Sequence, residues 1–200
     1  MCRAVHYAPE MTDSPRERLL AATMSHVAEA GLADFSLRSV ATAIGTSHRM
    51  LSHHFGSKAG LEVAIVRRAT ELLTTPLLVQ DADTPDLSAG QQIQRVWEAL
   101  SEPTLEPLLR LYFDLTNRAA SGDPVAVEAV GTIRDHWTRT ALTIGDLADD
   151  TQELLLGAAV TSTFLKGLLL DRLSGATIAE TEAVLRRFID LVEAYGPDAP

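Results

Sequence analysis

The chain has 200 residues, 46% of them hydrophobic and 22% charged, with a formal net charge of -10 at pH 7. That length suffices for one medium domain or two small ones around a buried core, and no uninterrupted apolar stretch approaches the roughly 20 residues of a membrane-spanning helix. The opening MCRAVHYAPEM lacks the apolar run of a secretory leader, and the single cysteine, Cys2, permits no internal disulfide, so a reducing cytoplasm is the expected setting.

Residues 1–13 read as a flexible arm, with Met11 a candidate alternative start. The first helix has a clear beginning: Ser14 as cap, Pro15 at the first helical position and Glu17 three residues after the cap make a capping box. Leu19, Leu20, Met24 and Val27 give it an inner face, and Gly31 ends it. Arg16 and Arg18 read as solvated charge within reach of a phosphate.

The next stretch, SLRSVATAIGTSHRMLSHHFGSK from Ser36 to Lys58, organises the chain. Val40, Ile44, Leu51 and Phe55 repeat at helical spacing, but Gly45-Thr46-Ser47 interrupts the run with a residue that tolerates positive φ and a serine able to cap a new helix. Two short helices joined by a tight turn are expected, with Ser36 capping the first and small Ala41 where the second crosses it. That is a helix-turn-helix pattern. Leu51 and Phe55 take the core side of the second helix, leaving His48, Arg49, Ser52 and His53 outward on a rod narrow enough for the major groove. Periodicity alone is served equally by two amphipathic helices of an ordinary bundle. Adjacent His53 and His54 point in different directions, and no spaced carboxylate or cysteine completes a metal-ligand set.

Ser57 caps a fourth helix that carries Leu61, Ile65 and Leu72 to about Thr74, and Pro76 to Gly90 reads as a connector. Ser88 with Gln91 makes another capping box, opening a helix with Ile93, Val96, Trp97 and Leu100. A sixth helix follows Pro103 with Leu108, Leu111, Tyr112 and Leu115. Asp123-Pro124 starts a seventh, with Val127, Val130, Ile133, Trp137, Ala141 and Ile144 at three- to four-residue intervals. The eighth, from about Asp150 to Leu173, contains LLLGAAVTSTFLKGLLL and is apolar around most of its circumference, so it must be buried on more than one side. Thr177 with Glu180 caps the ninth, which offers Leu185, Phe188, Ile189, Val192 and Tyr195. The fold class is therefore all-α, about nine helices.

From Ser14 onward the run SPRERLLAATMSHVAEAGLADFSLRSVATAIGTSHRMLSHHFGSKAGLEVAIVRR closely resembles the TetR family of transcriptional regulators. The parts that carry the likeness are RxxLLxAA on the first helix, AGxxxFS before the second, SVAxxIGTS at the turn, then LxHHFGSKxxL. The likeness covers about the first third of the chain. It implies an N-terminal three-helix helix-turn-helix DNA-binding head, residues 14–58, and a C-terminal helical body, residues 59–200, for ligand binding and dimerisation. It also implies a homodimer held by a four-helix interface of helices eight and nine, a small-molecule effector in the body, and double-stranded operator DNA as partner.

On this resemblance, Arg38 corresponds to a DNA-touching position, His48 and Arg49 to the base-reading end of the third helix, and His54 to a phosphate-supporting one. Lys58, in the first turn of the fourth helix, would present a cation to a phosphate beside free backbone amides. The DNA-binding candidates are thus Ser36, Arg38, Thr46, Ser47, His48, Arg49, Ser52, His53, His54 and Lys58. Ser52 departs from the family's usual tyrosine, which commonly contacts a phosphate. Met50 replaces a usual small residue or threonine, and Ala59-Gly60 stands where acidic residues often open the fourth helix.

The charge distribution fits such a head. Positions 14–68 hold seven Arg and Lys against four Asp and Glu, so the acidity lies elsewhere and would turn only the head toward DNA. Trp97, Tyr112, Asn117, Trp137, Thr161 and Phe164 have the makeup of a mostly apolar pocket for an apolar or amphipathic effector, a makeup that core packing shares. Nothing resembles a nucleophile elbow, a phosphate-cradling glycine loop or a cofactor motif, so enzyme activity and a cofactor are not expected. The expected function is a repressor released from a partly palindromic operator by its effector. Two other readings stand beside it: a ligand-independent or architectural DNA-binding protein, and a helical ligand-binding module that has lost DNA recognition, which Ser52 favours. Arginine preferred over lysine, with abundant alanine, hints at a GC-rich bacterial genome.

Overall fold

In a computed structural model, residues 14–31, 35–78, 87–144 and 151–195 are described. The arm, Cys2 and most of the connector lie outside them, as do the side chains of Ala141, Ile144 and Tyr195. Among the described residues there are α-helices and one short 3-10 turn: α1 Pro15–Ala30, α2 Leu37–Ala43, α3 His48–Phe55, α4 Lys58–Leu78, α5 Ala89–Leu100, the turn Pro103–Leu105, α6 Glu106–Ala120, α7 Pro124–Ile144, α8 Thr151–Leu173 and α9 Ile178–Tyr195.

Local chemistry explains where several of these helices begin. The Ser14 hydroxyl accepts the Glu17 amide at 3.2 Å, satisfying one of the donors that a helix start leaves bare. At α2, Ser36 and Ser39 cap reciprocally, each hydroxyl accepting the other's backbone N–H, at 3.1 and 3.0 Å. The Ser57 hydroxyl accepts from Gly60 in α4, and Ser88 and Gln91 form the expected box at α5. Thr177 and Glu180 do the same at α9. Stops are equally local: Gly31 and Gly56 follow α1 and α3 at φ 73° and 74°, a conformation that costs a side chain and costs glycine little.

One boundary differs from expectation. The fourth helix does not stop near Thr74 but runs to Leu78, through Pro76. Proline removes an amide donor, yet its fixed φ is helical, so the last turn continues past it at the loss of one hydrogen bond.

The chain divides into two compact units, one of Met1–Glu71 with Pro103–Arg134, the other of Leu72–Glu102 with Asp135–Pro200. In the first, α2 packs on α3 and on α1, and α1 also meets the 3-10 turn and α6. Leu20, Met24 and Val27 of α1, Val40 and Ala41 of α2, Leu51 and Phe55 of α3, Leu61 and Ile65 of α4, and Leu108, Leu111 and Leu115 of α6 are all buried. Each such leucine or isoleucine contributes about 1.5–3 kcal/mol of transfer free energy, which fixes α3 against its support.

In the second unit, α5 and α8 both pack on α9. Gly90 sits so close to Glu193 and Ile189 of α9 that a Cβ would overlap them, and the Ser88 hydroxyl reaches the Glu193 carboxylate at 3.1 Å. Phe164 of α8 stacks on Phe188 of α9 with ring centroids 3.9 Å apart. The eighth helix buries Leu165, Leu168 and Leu169 on one side. Opposite them, Leu156, Val160, Thr163, Gly167 and Leu170 recur every three or four residues and are exposed.

Candidate nucleic-acid interface

The turn between α2 and α3 is built from three residues. Gly45 takes φ 69°, the Thr46 amide donates back to the Ala41 carbonyl at 2.9 Å, and the Ser47 hydroxyl accepts the Met50 amide at 3.2 Å, starting α3 abruptly. With Leu51 and Phe55 buried, the rest of this eight-residue helix is committed to the surface. His48, Arg49, Met50 and His53 are exposed, and Ser52 and His54 are half-buried.

Arg49 and Met50 lie four and three residues before His53, so the three side chains share one face. Met50, 40% exposed, is absent from the sequence-based candidates. Its signal is nonetheless present there: with Leu51 and Phe55 inward, the helical period turns position 50 away from the core. A thioether there suits a thymine methyl as Arg49 suits guanine O6 and N7.

The other candidates take several roles. Arg38 is exposed on α2, and Thr46 is half-buried in the turn. The hydroxyls of Ser36 and Ser47 are engaged as caps, which makes them builders of the surface as well as candidates to touch DNA. The rings of His53 and His54 meet edge to face at 5.0 Å. Among the described residues, no group of three or more His, Cys, Asp or Glu side chains converges on a metal-holding arrangement. Arg16 of α1 lies with its guanidinium 5.0 Å from the Phe55 ring centroid, bracing α3 from outside.

Lys58 opens α4 with its side chain 55% exposed. Its ammonium stands 3.5 Å from the carboxylate of Glu62 one turn on, and 5.8 Å from the Phe35 ring. Glu62 is 5% exposed and meets Arg118 of α6 at 2.7 Å. Arg118 also holds Asp123 at 2.8 Å. The guanidinium first, and then the Ala126 and Val125 amides that Asp123 caps, hold the Asp123 carboxyl below its ordinary pKa.

The six pocket candidates divide between the units. Tyr112 and Asn117 belong to the first unit; Trp97, Trp137, Thr161 and Phe164 belong to the second. Trp97 is buried, Trp137, Thr161, Phe164 and Tyr112 are half-buried, and Asn117 is exposed. Burial pushes the Tyr112 hydroxyl above its ordinary pKa.

Residues 19–65, the stretch that forms α1 to α3 and the start of α4, match the family model described as bacterial regulatory proteins, tetR family. Over these residues the chain is similar to TetR-family regulators. The HTH-type transcriptional regulator BetI of Klebsiella pneumoniae (strain 342) is 33% identical over 81 residues, which are 40% of this chain and 42% of BetI. BetI of Escherichia coli (strain K12 / DH10B) is 32% identical over the same share of each. The chain thus spans less than half the length of the curated relatives it matches. Likeness of fold extends further than this TetR-type segment. A TetR transcriptional regulator from Legionella pneumophila superposes with a TM-score of 0.66 at 24% identity, covering 91% of this chain and 99% of that one. The multidrug binding protein EbrR, in its complex with imidazole, superposes with a TM-score of 0.60 at 23% identity over 91% of both chains. The all-helical body is accordingly that of TetR-type folds.

Proposed function

We propose that this protein is a homodimeric transcriptional repressor, acting in the cytoplasm and without enzymatic chemistry, that leaves a partly palindromic operator when a small apolar or amphipathic effector binds its body. The observation that carries the reading is the surface of α3: a short helix, rigidly capped and backed by Leu51 and Phe55, that presents Arg49, Met50 and His53 together. Arg38, His48, Ser52 and His54 flank it, and Lys58 supplies a cation for a phosphate. Ser52 shortens the phosphate contact that the family's tyrosine makes, and Lys58 and Arg38 remain to hold register.

The apolar stripe of α8, with Val184 and Leu191 of α9, supports dimerisation through these two helices. Among the described residues, six large aliphatic side chains of α8 and α9 stand exposed, Leu156, Val160, Leu170, Ile178, Val184 and Leu191, and a second copy would bury them. Trp97, Trp137, Thr161 and Phe164 are the effector-lining candidates within the second unit.

The experiment is selection of a duplex from a random library by the purified protein, followed by footprinting. Two protected major-groove patches related by a dyad, with centres about one helical turn or a multiple of it apart, are expected for a dimer reading two half-sites. One continuous unsymmetrical footprint, or no enriched sequence, contradicts the reading.

A further inference from the structure

The position of Arg118 in the first compact unit has a consequence for Lys58, and it rests on the DNA-binding reading above. Glu62 is a carboxylate inside the unit, 5% exposed, and a buried charge persists only when it is paired. Among the described residues, two cations pair with it. Lys58 lies at 3.5 Å with its side chain 55% exposed, an arrangement that holds weakly. Arg118 approaches at 2.7 Å, 28% exposed, and is itself fixed by two bonds to Asp123, from Nε at 3.1 Å and from a terminal nitrogen at 2.8 Å. The outer carboxylate of Asp114 lies 3.9 Å from the same guanidinium.

We infer that Arg118, the fixed partner of Glu62, is a positioning residue for DNA binding: by neutralising that carboxylate it leaves the Lys58 ammonium free to neutralise a phosphate. Without Arg118, Glu62 has Lys58 as its cation and draws it inward, and a negative charge is left uncompensated one helical turn behind the phosphate contact. The C-terminal end of α6, 56 residues further along the chain, thereby sets the strength of a contact that it does not touch. Any event that withdraws this end of α6 from α4 weakens binding at every sequence alike, because a phosphate contact carries no base information.

The test uses the full-length dimer and the duplex selected by wild-type protein, titrated across salt. Arg118→Gln is expected to bind about tenfold more weakly per subunit near 0.1 M salt, with the slope of log K against log salt reduced by about 0.9 per lost phosphate contact. Adding Glu62→Gln should restore both affinity and slope, and Arg118→Lys, which keeps a cation opposite Glu62, should retain most of the affinity. Glu62→Gln alone is expected to bind at least as tightly as wild type, and it decides the matter if Arg118→Gln does not fold. Wild-type affinity and slope in folded Arg118→Gln overturn the inference, as does a double variant as weak as the single one or weakened binding by Glu62→Gln. If the wild-type protein selects no duplex, the failure is of the DNA-binding reading itself, and the inference falls with it.

Discussion

In the proposed reading, Arg49 and Met50 divide the reading of bases between a charged fork and an apolar rod. Arg49 is exposed on a helix whose opposite side is locked by Leu51, so on that reading its guanidinium would enter a groove with little freedom in the backbone. Replacing Arg49 with alanine should cost about 1–3 kcal/mol of discrimination at one operator position while leaving the melting temperature unchanged. A binding-site selection repeated with the variant checks this, and an unaltered sequence profile would show that α3 is misassigned as the reading element. Among single residues the chain is partly legible. Gly45, Ser47, Leu51 and Phe55 announce the turn and the inward face, because turn chemistry and helical period act over a few residues. The Arg118–Glu62 pair is not legible, since nothing local in either helix tells which distant charge will meet it. Asn117 is a pocket candidate by its chemistry; its exposure depends on how α6 rolls against α1, which composition does not encode.

Elements are held by caps and by close approaches. Removing the Ser36 hydroxyl takes away half of a reciprocal cap on a helix of only seven residues, and Ser36→Ala is expected to cost about 1 kcal/mol by chemical denaturation. Gly90 makes a sharper case. A methyl group there overlaps Ile189 and Glu193, so Gly90→Ala should destabilise by about 1–3 kcal/mol, although alanine is the better helix former. Stability equal to wild type would mean that α5 and α9 are less closely packed than this.

The start of α9 depends on pH. The Thr177 hydroxyl and then its amide donate to Glu180, holding that carboxyl below its ordinary pKa. A depressed carboxyl contributes stability above its unfolded pKa and loses it as pH falls through the folded value. The difference in thermal stability between wild type and Glu180→Ala should therefore be full at neutral pH and narrow on acidification below the ordinary glutamate range. Helix starts are the most legible features of the chain, because a serine or threonine followed three residues later by a partner is a local device. The end of α4 is not, because a proline's effect depends on whether the helix beyond it is retained.

For the whole molecule, the informative feature is the double character of α8. Its uniform apolarity calls for burial on more than one side; within one chain Leu165, Leu168 and Leu169 are buried while Leu156, Val160 and Leu170 stay in water. Introducing a charge with Val160→Glu should shift the protein from dimer to monomer in sedimentation and reduce operator affinity, since two weakly held half-sites replace one joined pair. A variant that remains dimeric would move the interface elsewhere. How the two compact units divide the chain is less legible than the helices themselves: α6 joins the head through Leu108, Leu111 and Leu115, a face that reads from sequence as generic core.

The functional reading stands or falls on whether the basic head of an acidic protein recognises DNA sequence. The decisive comparison is binding to the selected duplex against a scrambled duplex, measured from low to moderate salt. Tight, selective binding to the first is expected, with feeble binding to the second and affinity that falls steeply as salt rises for both. Equal and feeble binding to the two duplexes at every salt concentration would contradict sequence recognition, and would mark α3 as a helix that kept the fold of a reader without the function.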